Sequence, residues 1–310
     1  MEEVNCVLCD IDDTRPYQEE GGYQSVQCNR CGLVYVNPRP SIDEMKQLYQ
    51  GQETKINLHA HLNQRDFKSV QARRCLKFIL PHKNSGRLLE IGSAAGYFIN
   101  QARTAGFEVQ GLDLTRQFCE FSRDVLRLEV FEGTLAQAPF EDQRFDVIYM
   151  RNVLSHLANP VHEFKVLHRL LKPGGIVVLE TGNVAELPAN DAVELELPDH
   201  LYHFSEATIK QLFEAAGLQG LKAHRFVLLD SFKIIQLAIK LSGKLKQMVS
   251  PPSVKKPAGD NNFPTQLPKS HLALRMSAHL AQFSRYGLGS VLPKTNQRCT
   301  LVMVAQRRRS

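Results

Sequence analysis

The sequence is set apart first by what is missing from it. No apolar run in its 310 residues is long enough to cross a bilayer, which excludes a helical membrane-spanning class. Its opening stretch, MEEVNCVLCD, is acidic and has no basic region followed by an apolar one. A secretory leader is therefore not expected, and a cytoplasmic location is. Acids almost vanish from the other end. Residues 231–310 hold 14 Lys and Arg against a single acid, Asp260, a balance of +13 in a chain whose total is +6. The first 230 residues therefore sum to −7. The basic end is built to meet something anionic, and the rest is not.

What is present has the balance of a globular protein: 43% apolar and 23% charged residues, with length for one large domain and an accessory module. Of seven cysteines, four fall in two close pairs, which suits metal binding in a reducing compartment better than a disulfide framework. Cys6-x2-Cys9 is followed after 18 residues by Cys28-x2-Cys31, with Gly32 behind the second pair. This is the spacing of a four-cysteine zinc ribbon, whose thiolates at ~2.3 Å fill a tetrahedral Zn²⁺ shell. Such a closed site is structural, and without metal so short an apolar-poor segment is not expected to fold. The alternative is four unligated cysteines.

Asn37-Pro38-Arg39-Pro40 reads as a stiff connector. Ser41 with Glu44 forms a capping box for a helix to about Tyr49, and a second helix is predicted over 61–79, stopped by Pro81. From Arg87 a βα rhythm starts, with strands at 87–91, 108–113, 145–150 and 175–180 and helices at 95–105, 115–127 and 160–171. Ser205 caps a helix over 206–216, residues 221–229 read as a strand, and Thr300 to Ala305 as the last one. Such alternation predicts an α/β, mostly parallel, doubly wound sheet.

The first predicted strand runs into Gly92-Ser93-Ala94-Ala95-Gly96, followed by Tyr97. A dinucleotide fingerprint needs glycines where Ala94 and Tyr97 stand, and a P-loop needs a Lys-Ser or Lys-Thr that is absent. A nucleoside without phosphate fits instead. Glu90 supplies an acceptor, the bend gives close backbone approach, and Asp113 closes the next strand, where a carboxylate can accept both ribose hydroxyls.

Six segments in order carry a resemblance over residues 85–220. They are Leu88 to Gly96, Gly111-Leu112-Asp113, Arg144 to Ile148, Asn152 to Leu157, Leu171 to Gly175, and Leu197 to Ser205. Together they resemble a class I S-adenosylmethionine-dependent methyltransferase of the quinone-biosynthesis-like group. The resemblance implies a Rossmann-like seven-stranded sheet of order 3-2-1-4-5-7-6 with the last strand antiparallel. It also implies that Gly92, Ser93, Ala94 and Gly96, with Glu90 and Tyr97, surround the methionine part of S-adenosylmethionine. Asp113 would hold the ribose, while Leu114, Thr134 and Leu135 would border the adenine. Arg151 and Asn152 would face the cofactor. Many relatives carry an acid where Thr134 stands, so that contact departs from the pattern.

Methyl transfer needs the acceptor atom about 3 Å from the methyl group and often a base to take one proton. His156, His200 and His203 are the candidates, because an imidazole titrates near neutrality. Each could equally make a structural hydrogen bond. Sugar C-methyltransferases also place a four-cysteine zinc module before this fold, where it helps form the acceptor cleft. The acidic character of residues 1–40, seven acids against three arginines, disfavours nucleic acid. In 231–249, Lys233, Lys240 and Lys244 form a stripe opposite Ile234, Leu241 and Met248, an amphipathic helix expected to cover the site or meet an anionic surface. The expected division is therefore a ribbon (1–40), a helical linker (41–84), a methyltransferase core (85–230 and 299–306) and a basic insertion (231–298). The expected acceptor is a small molecule such as a nucleotide sugar, lipid-linked glycan or related metabolite. The basic insertion would meet either the inner membrane face or a diphosphate-bearing acceptor. Two other readings stand beside it: an RNA methyltransferase using the basic end, and a non-catalytic zinc-ribbon interaction protein with a degenerate cofactor fold.

Overall fold

The computed structural model describes residues 1–41, 44–45, 58–187, 194–227, 272–291 and 299–309. Strands β1 (Thr14–Glu20), β2 (Tyr23–Cys28) and β3 (Val34–Val36) form an antiparallel meander around the four cysteines. The predicted capping box at Ser41 is present, since Glu44 Oε2 accepts from the Ser41 N–H at 2.8 Å and from its hydroxyl at 2.9 Å. The rest of that helix, beyond Glu44 and Met45, falls outside the described residues. The helix expected over 61–79 is two helices, α1 (Leu58–Asn63) and α2 (Arg65–Ile79). The break is Gln64, whose ψ of 9° leaves the helical region.

The alternating half follows in chain order as β4 (Gly86–Ile91), α3 (Tyr97–Thr104), β5 (Phe107–Asp113), α4 (Arg116–Asp124), β6 (Glu129–Glu132), β7 (Phe145–Arg151), α5 (Pro160–Leu170) and β8 (Leu171–Gly182). After β9 (Tyr202–His203) come α6 (Glu206–Ala215), β10 (Leu218–Val227), α7 (Leu272–Phe283) and β11 (Cys299–Arg307). Ser205 caps α6 as expected, in a reciprocal box with Thr208.

The large sheet has the order β10-β11-β8-β7-β4-β5-β6, with β11 antiparallel to both neighbours. Numbered within the sheet this is 3-2-1-4-5-7-6, the predicted topology. Period-two alternation gives the central strands two buried faces. Leu89, Ile148, Val177 and Leu301 meet α5, α6 and the cysteine meander on one side. Leu88, Val147, Val178 and Val302 meet α2 and α3 on the other. Burying one such side chain contributes about 1.5–3 kcal/mol, so the double layer dominates the stability of the core.

One sequence expectation changes, and one strand pairing was not foreseen. Pro173-Gly174-Gly175 does not lead into the strand; it is an irregularity inside β8, because Leu171 still pairs with Phe145 before the register resumes at Ile176 and Val147. The meander is also not closed on itself. Its β3 pairs with β9 from the second half of the chain, Val34 opposite His203 and Tyr35 opposite Tyr202. The lysine stripe of 231–249 and the segment 250–270 lie outside the described residues. The described part of the expected insertion, α7 and the wide π-type turn after it (Ser284–Leu288), packs on α2, with Phe78 and Tyr286 rings 5.9 Å apart.

Candidate active site

At the carboxyl ends of β4 and β5 the chain makes the bend that the glycines announced. Gly92 and Gly96 have φ of +70° and +71°, a region that favours glycine. Neither tolerates a side chain: a Cβ at Gly92 would stand 2.5 Å from Val153 Cγ2, and one at Gly96 would stand 2.8 Å from Ser122 Oγ. Asp113 ties the bend to the next strand. One of its oxygens accepts the Ala94 N–H at 2.7 Å and the other the Thr115 N–H at 2.8 Å. Burial nevertheless pushes its carboxyl upward. Glu90, at the end of β4, is buried, and its Oε2 has no hydrogen-bond partner. Burial holds its carboxyl well above the usual range, and the neighbouring Asp113 adds to the shift. Leu114 is 61% exposed beside the bend, and Thr134 is exposed with its N–H given to Gln137.

Across the same edge lies a cleft of about 270 Å³, lined among others by Asn152, Thr181, His200, His203, Arg285 and Thr300. His200 and His203 line it and His156 stands beside His200, so the fold gathers three histidines that the sequence could only name separately. The rings of His156 and His200 are 4.7 Å apart, and those of His200 and His203 are 5.9 Å apart. His156 Nδ1 is 2.9 Å from the Asp199 carbonyl. Burial, with the nearby His156, lowers the His200 imidazole. The turn holding His156 is stitched to the loop holding His200 by the Leu201 N–H, which donates to the Ser155 carbonyl at 2.8 Å.

The wall is also gripped from the cysteine meander, which sequence reasoning missed. Glu20 of β1 accepts the N–H groups of Leu195 and Leu197 at 2.7 and 3.2 Å. Tyr17 donates to the carbonyls of Val184 and Leu187, each at 3.4 Å. Arg39 donates to the Tyr202 hydroxyl at 3.0 Å and to the Ala158 carbonyl at 2.9 Å. An acid such as Glu20 is thus occupied holding a loop, and its charge alone could not reveal that.

A family described as a methyltransferase domain matches residues 62–223. The chain belongs to this family. Among its relatives, a protein of Mycolicibacterium smegmatis named a probable S-adenosylmethionine-dependent methyltransferase is 28% identical over 142 residues, 45% of this chain and 55% of that one. A ubiquinone biosynthesis O-methyltransferase of Ruegeria pomeroyi is 33% identical over 102 residues, 31% of this chain and 41% of that one. The chain spans about half the length of the curated relatives it matches. A solved phosphoethanolamine N-methyltransferase 2 of Haemonchus contortus, in complex with S-adenosyl-L-methionine, is 18% identical with a TM-score of 0.49, covering 77% of this chain and 52% of that one.

Within this methyltransferase domain, Arg151 is held in a buried cluster close enough to Glu90 for its charge to favour the ionised carboxylate. Its Nε donates to Glu180 Oε1 at 3.1 Å and its Nη1 to Gln71 at 2.6 Å. Tyr286 donates to the same Glu180 oxygen at 2.8 Å, and Arg285 lies 3.7 Å from it. Burial opposes the charge on Glu180, but the two arginines hold its carboxyl below the usual range. Asn152, the next residue, takes φ of +53° at the cleft, where it turns the chain out of β7. Glu180 went unnoticed in the sequence because one acid after an apolar strand carries no signal until its partners from α2 and the 284–288 turn are in place.

Ahead of the methyltransferase domain the four predicted cysteines do converge. One sulfur from each of Cys6, Cys9, Cys28 and Cys31 lies within 4.8 Å of the others, and Cys6 and Cys31 approach to 3.5 Å. All four are free thiols. Hydrogen bonding from Cys31 pulls the Cys6 thiol downward. The donor set is compatible with a closed tetrahedral Zn²⁺.

Proposed function

We propose that this chain is an S-adenosylmethionine-dependent methyltransferase acting on a small-molecule acceptor held in the histidine-walled cleft. A nucleotide sugar, lipid-linked glycan or related metabolite is the acceptor class that suits its zinc-bearing front module. The observation that carries the reading is the buried Glu90 oxygen without a partner, beside a bend whose two glycines admit no side chain and next to the Asp113 carboxylate. These residues fit an adenosyl amino acid. The Ala94 and Thr115 N–H groups hold the Asp113 carboxylate at the strand end, where it can accept ribose hydroxyls. The Glu90 carboxyl offers an acceptor to an ammonium group, whose charge would also favour the ionised acid.

S-adenosylmethionine, when bound, supplies an electrophilic methyl group on a sulfonium. The protein's part is orientation, exclusion of water and proton management. Gly92 to Gly96 let the backbone lie against the ligand, and Tyr97 closes the bend from α3. Leu114, Thr134 and Leu135 present the edge on which an adenine would rest. Across the cleft, His200 is disposed to take a proton from an acceptor hydroxyl or amine, with His203 and His156 at its flanks. Burial and the neighbouring His156 lower its imidazole, which favours the neutral ring that can accept a proton. Zn²⁺ on Cys6, Cys9, Cys28 and Cys31 would hold residues 1–40 folded as a unit ahead of the linker 41–84 and the core, so that β3 can brace β9.

The test is calorimetry with S-adenosylmethionine. Wild-type protein is expected to bind it, and Asp113→Ala to bind about ten-fold more weakly through lost hydrogen bonds. Equal affinity of the two proteins removes the ribose assignment, and no binding by either removes the enzyme.

A further inference from the structure

The loop before β9 and the turn after β7 bring a second set of metal-type donors together, remote in kind from the cysteine cluster. One ring nitrogen each of His156 and His200 and a carboxylate oxygen of Asp199 lie within 4.8 Å of one another. We propose that His156, Asp199 and His200 bind a divalent transition-metal ion at the rim of the cleft, and that its open positions take oxygen atoms of the acceptor. The second clause rests on the methyl-transfer reading; the first does not.

Two imidazoles and one carboxylate are a donor set suited to Zn²⁺, Co²⁺, Mn²⁺ or Fe²⁺, and three protein ligands leave positions for a substrate. This is the opposite of the four-thiolate set, which is closed. The His156 ring is already oriented: its Nδ1 stands 2.9 Å from the Asp199 carbonyl, which can only accept. A bond of that kind fixes the ring plane of a ligating histidine, and the same Nδ1 stands 3.6 Å from Asp199 Oδ1, so an ion bound at that nitrogen would take the place of the carbonyl as its partner. Glu196 Oε2 lies 3.5 Å from His200 Nε2, so a second carboxylate stands at the site to offset the charge of the ion.

The donors come from two segments, and both are pinned. Leu201 N–H bonds Ser155 carbonyl, and His200 N–H bonds Glu196 carbonyl at 3.1 Å. Glu20 fastens Leu195 and Leu197 from outside. Ligand atoms about 2.1 Å from one ion stand roughly 3–3.5 Å apart, so closing the site asks for side-chain rotations of about an ångström. The three side chains, between 24% and 33% exposed, have room for it. His200 lines the cleft, so an ion bound here would sit where acceptor oxygens arrive. With His200 coordinated, the ion would lower the proton affinity of a bound acceptor oxygen, and His203, which lines the same cleft, would replace His200 as the proton acceptor.

The test uses full-length protein already loaded with Zn²⁺ and titrated with Co²⁺, followed by optical spectroscopy and by metal analysis after gel filtration. The expected result is one further ion per chain, with weak visible bands and none of the intense thiolate charge-transfer absorption that Co²⁺ in the cysteine site would show. Asp199→Asn should weaken that ion at least ten-fold. His156→Ala and His200→Ala should lose it while retaining the cysteine-bound ion and the affinity for S-adenosylmethionine. In wild-type protein, independent of any variant's folding, Co²⁺ should shift or broaden histidine ring proton resonances. A single ion per chain with unshifted histidine signals overturns the site. So does a second ion that survives in the folded variants. If the ion binds but S-adenosylmethionine does not, the metal site stands and the enzyme reading falls; the reverse result separates them in the other direction.

Discussion

The glycine bend at 91–96 and the histidine wall at 194–204 lie along the same edge of one sheet, yet they are held in different ways. The bend is made by neighbours in sequence: two adjacent parallel strands, their following turns, and Asp113 closing one onto the other. The wall is made by strangers. Residues 17, 20 and 39, the turn at 154–156, the loop before β9 and the 284–288 turn all contribute, and the longest of their bonds spans 177 positions. A local device survives damage elsewhere. An assembled one fails wherever any of its supports fails.

That difference can be broken open by stripping the Zn²⁺ proposed for the cysteine cluster. Because structural Zn²⁺ sites are worth on the order of 10 kcal/mol to a small module, a strong chelator or Cys28→Ser is expected to unfold residues 1–40 and release β9. Methyl transfer should drop at least 100-fold while S-adenosylmethionine affinity, measured by calorimetry, changes less than three-fold. A parallel collapse of both would show that the two regions share their support.

Glu180→Gln comes next in size. It leaves Arg151 and Arg285 facing each other without their anion, a loss of about 3–5 kcal/mol in chemical denaturation. Because the folded carboxyl is held below its ordinary value, its contribution is present above the unfolded carboxylate range and is lost as pH falls through the lower folded value. The variant should therefore lose part of the acid dependence of stability seen in wild type, which denaturation at a series of pH values will show.

Smaller still is Gly92→Ala, whose Cβ would press on Val153 at a backbone angle that alanine resists. A destabilisation of about 1–3 kcal/mol is expected, with weaker S-adenosylmethionine binding and an unchanged KM for acceptor. The gentlest change is Glu20→Gln, which keeps one acceptor for the loop but removes the charge on two bonds. A cost near 1 kcal/mol and a raised acceptor KM are expected, with cofactor affinity intact. If cofactor affinity moved instead, the wall and the bend would be coupled.

Much of the core was legible because its signals are local. Leu88 and Leu89 show the alternation of a doubly buried strand, Gly92 and Gly96 mark positions closed to side chains, and Ser205 announces a cap three residues before Thr208 completes it. The four-residue β6 and two-residue β9 were not read, because so few residues cannot display a period. The break at Gln64 was missed for a related reason: an amphipathic stripe runs on through a non-helical residue when both halves face the same sheet.

By itself the sequence determined the order of elements, the glycine bend, the Asp113 position and the pairing of cysteines, since each depends on residues within one turn or one strand of another. Tertiary structure alone decided that three histidines cluster beside a cleft, that Glu180 gathers two arginines, and that β3 of the front module completes its sheet with β9. Such contacts join segments with no common periodicity, and only burial of both against one core brings them within hydrogen-bond reach.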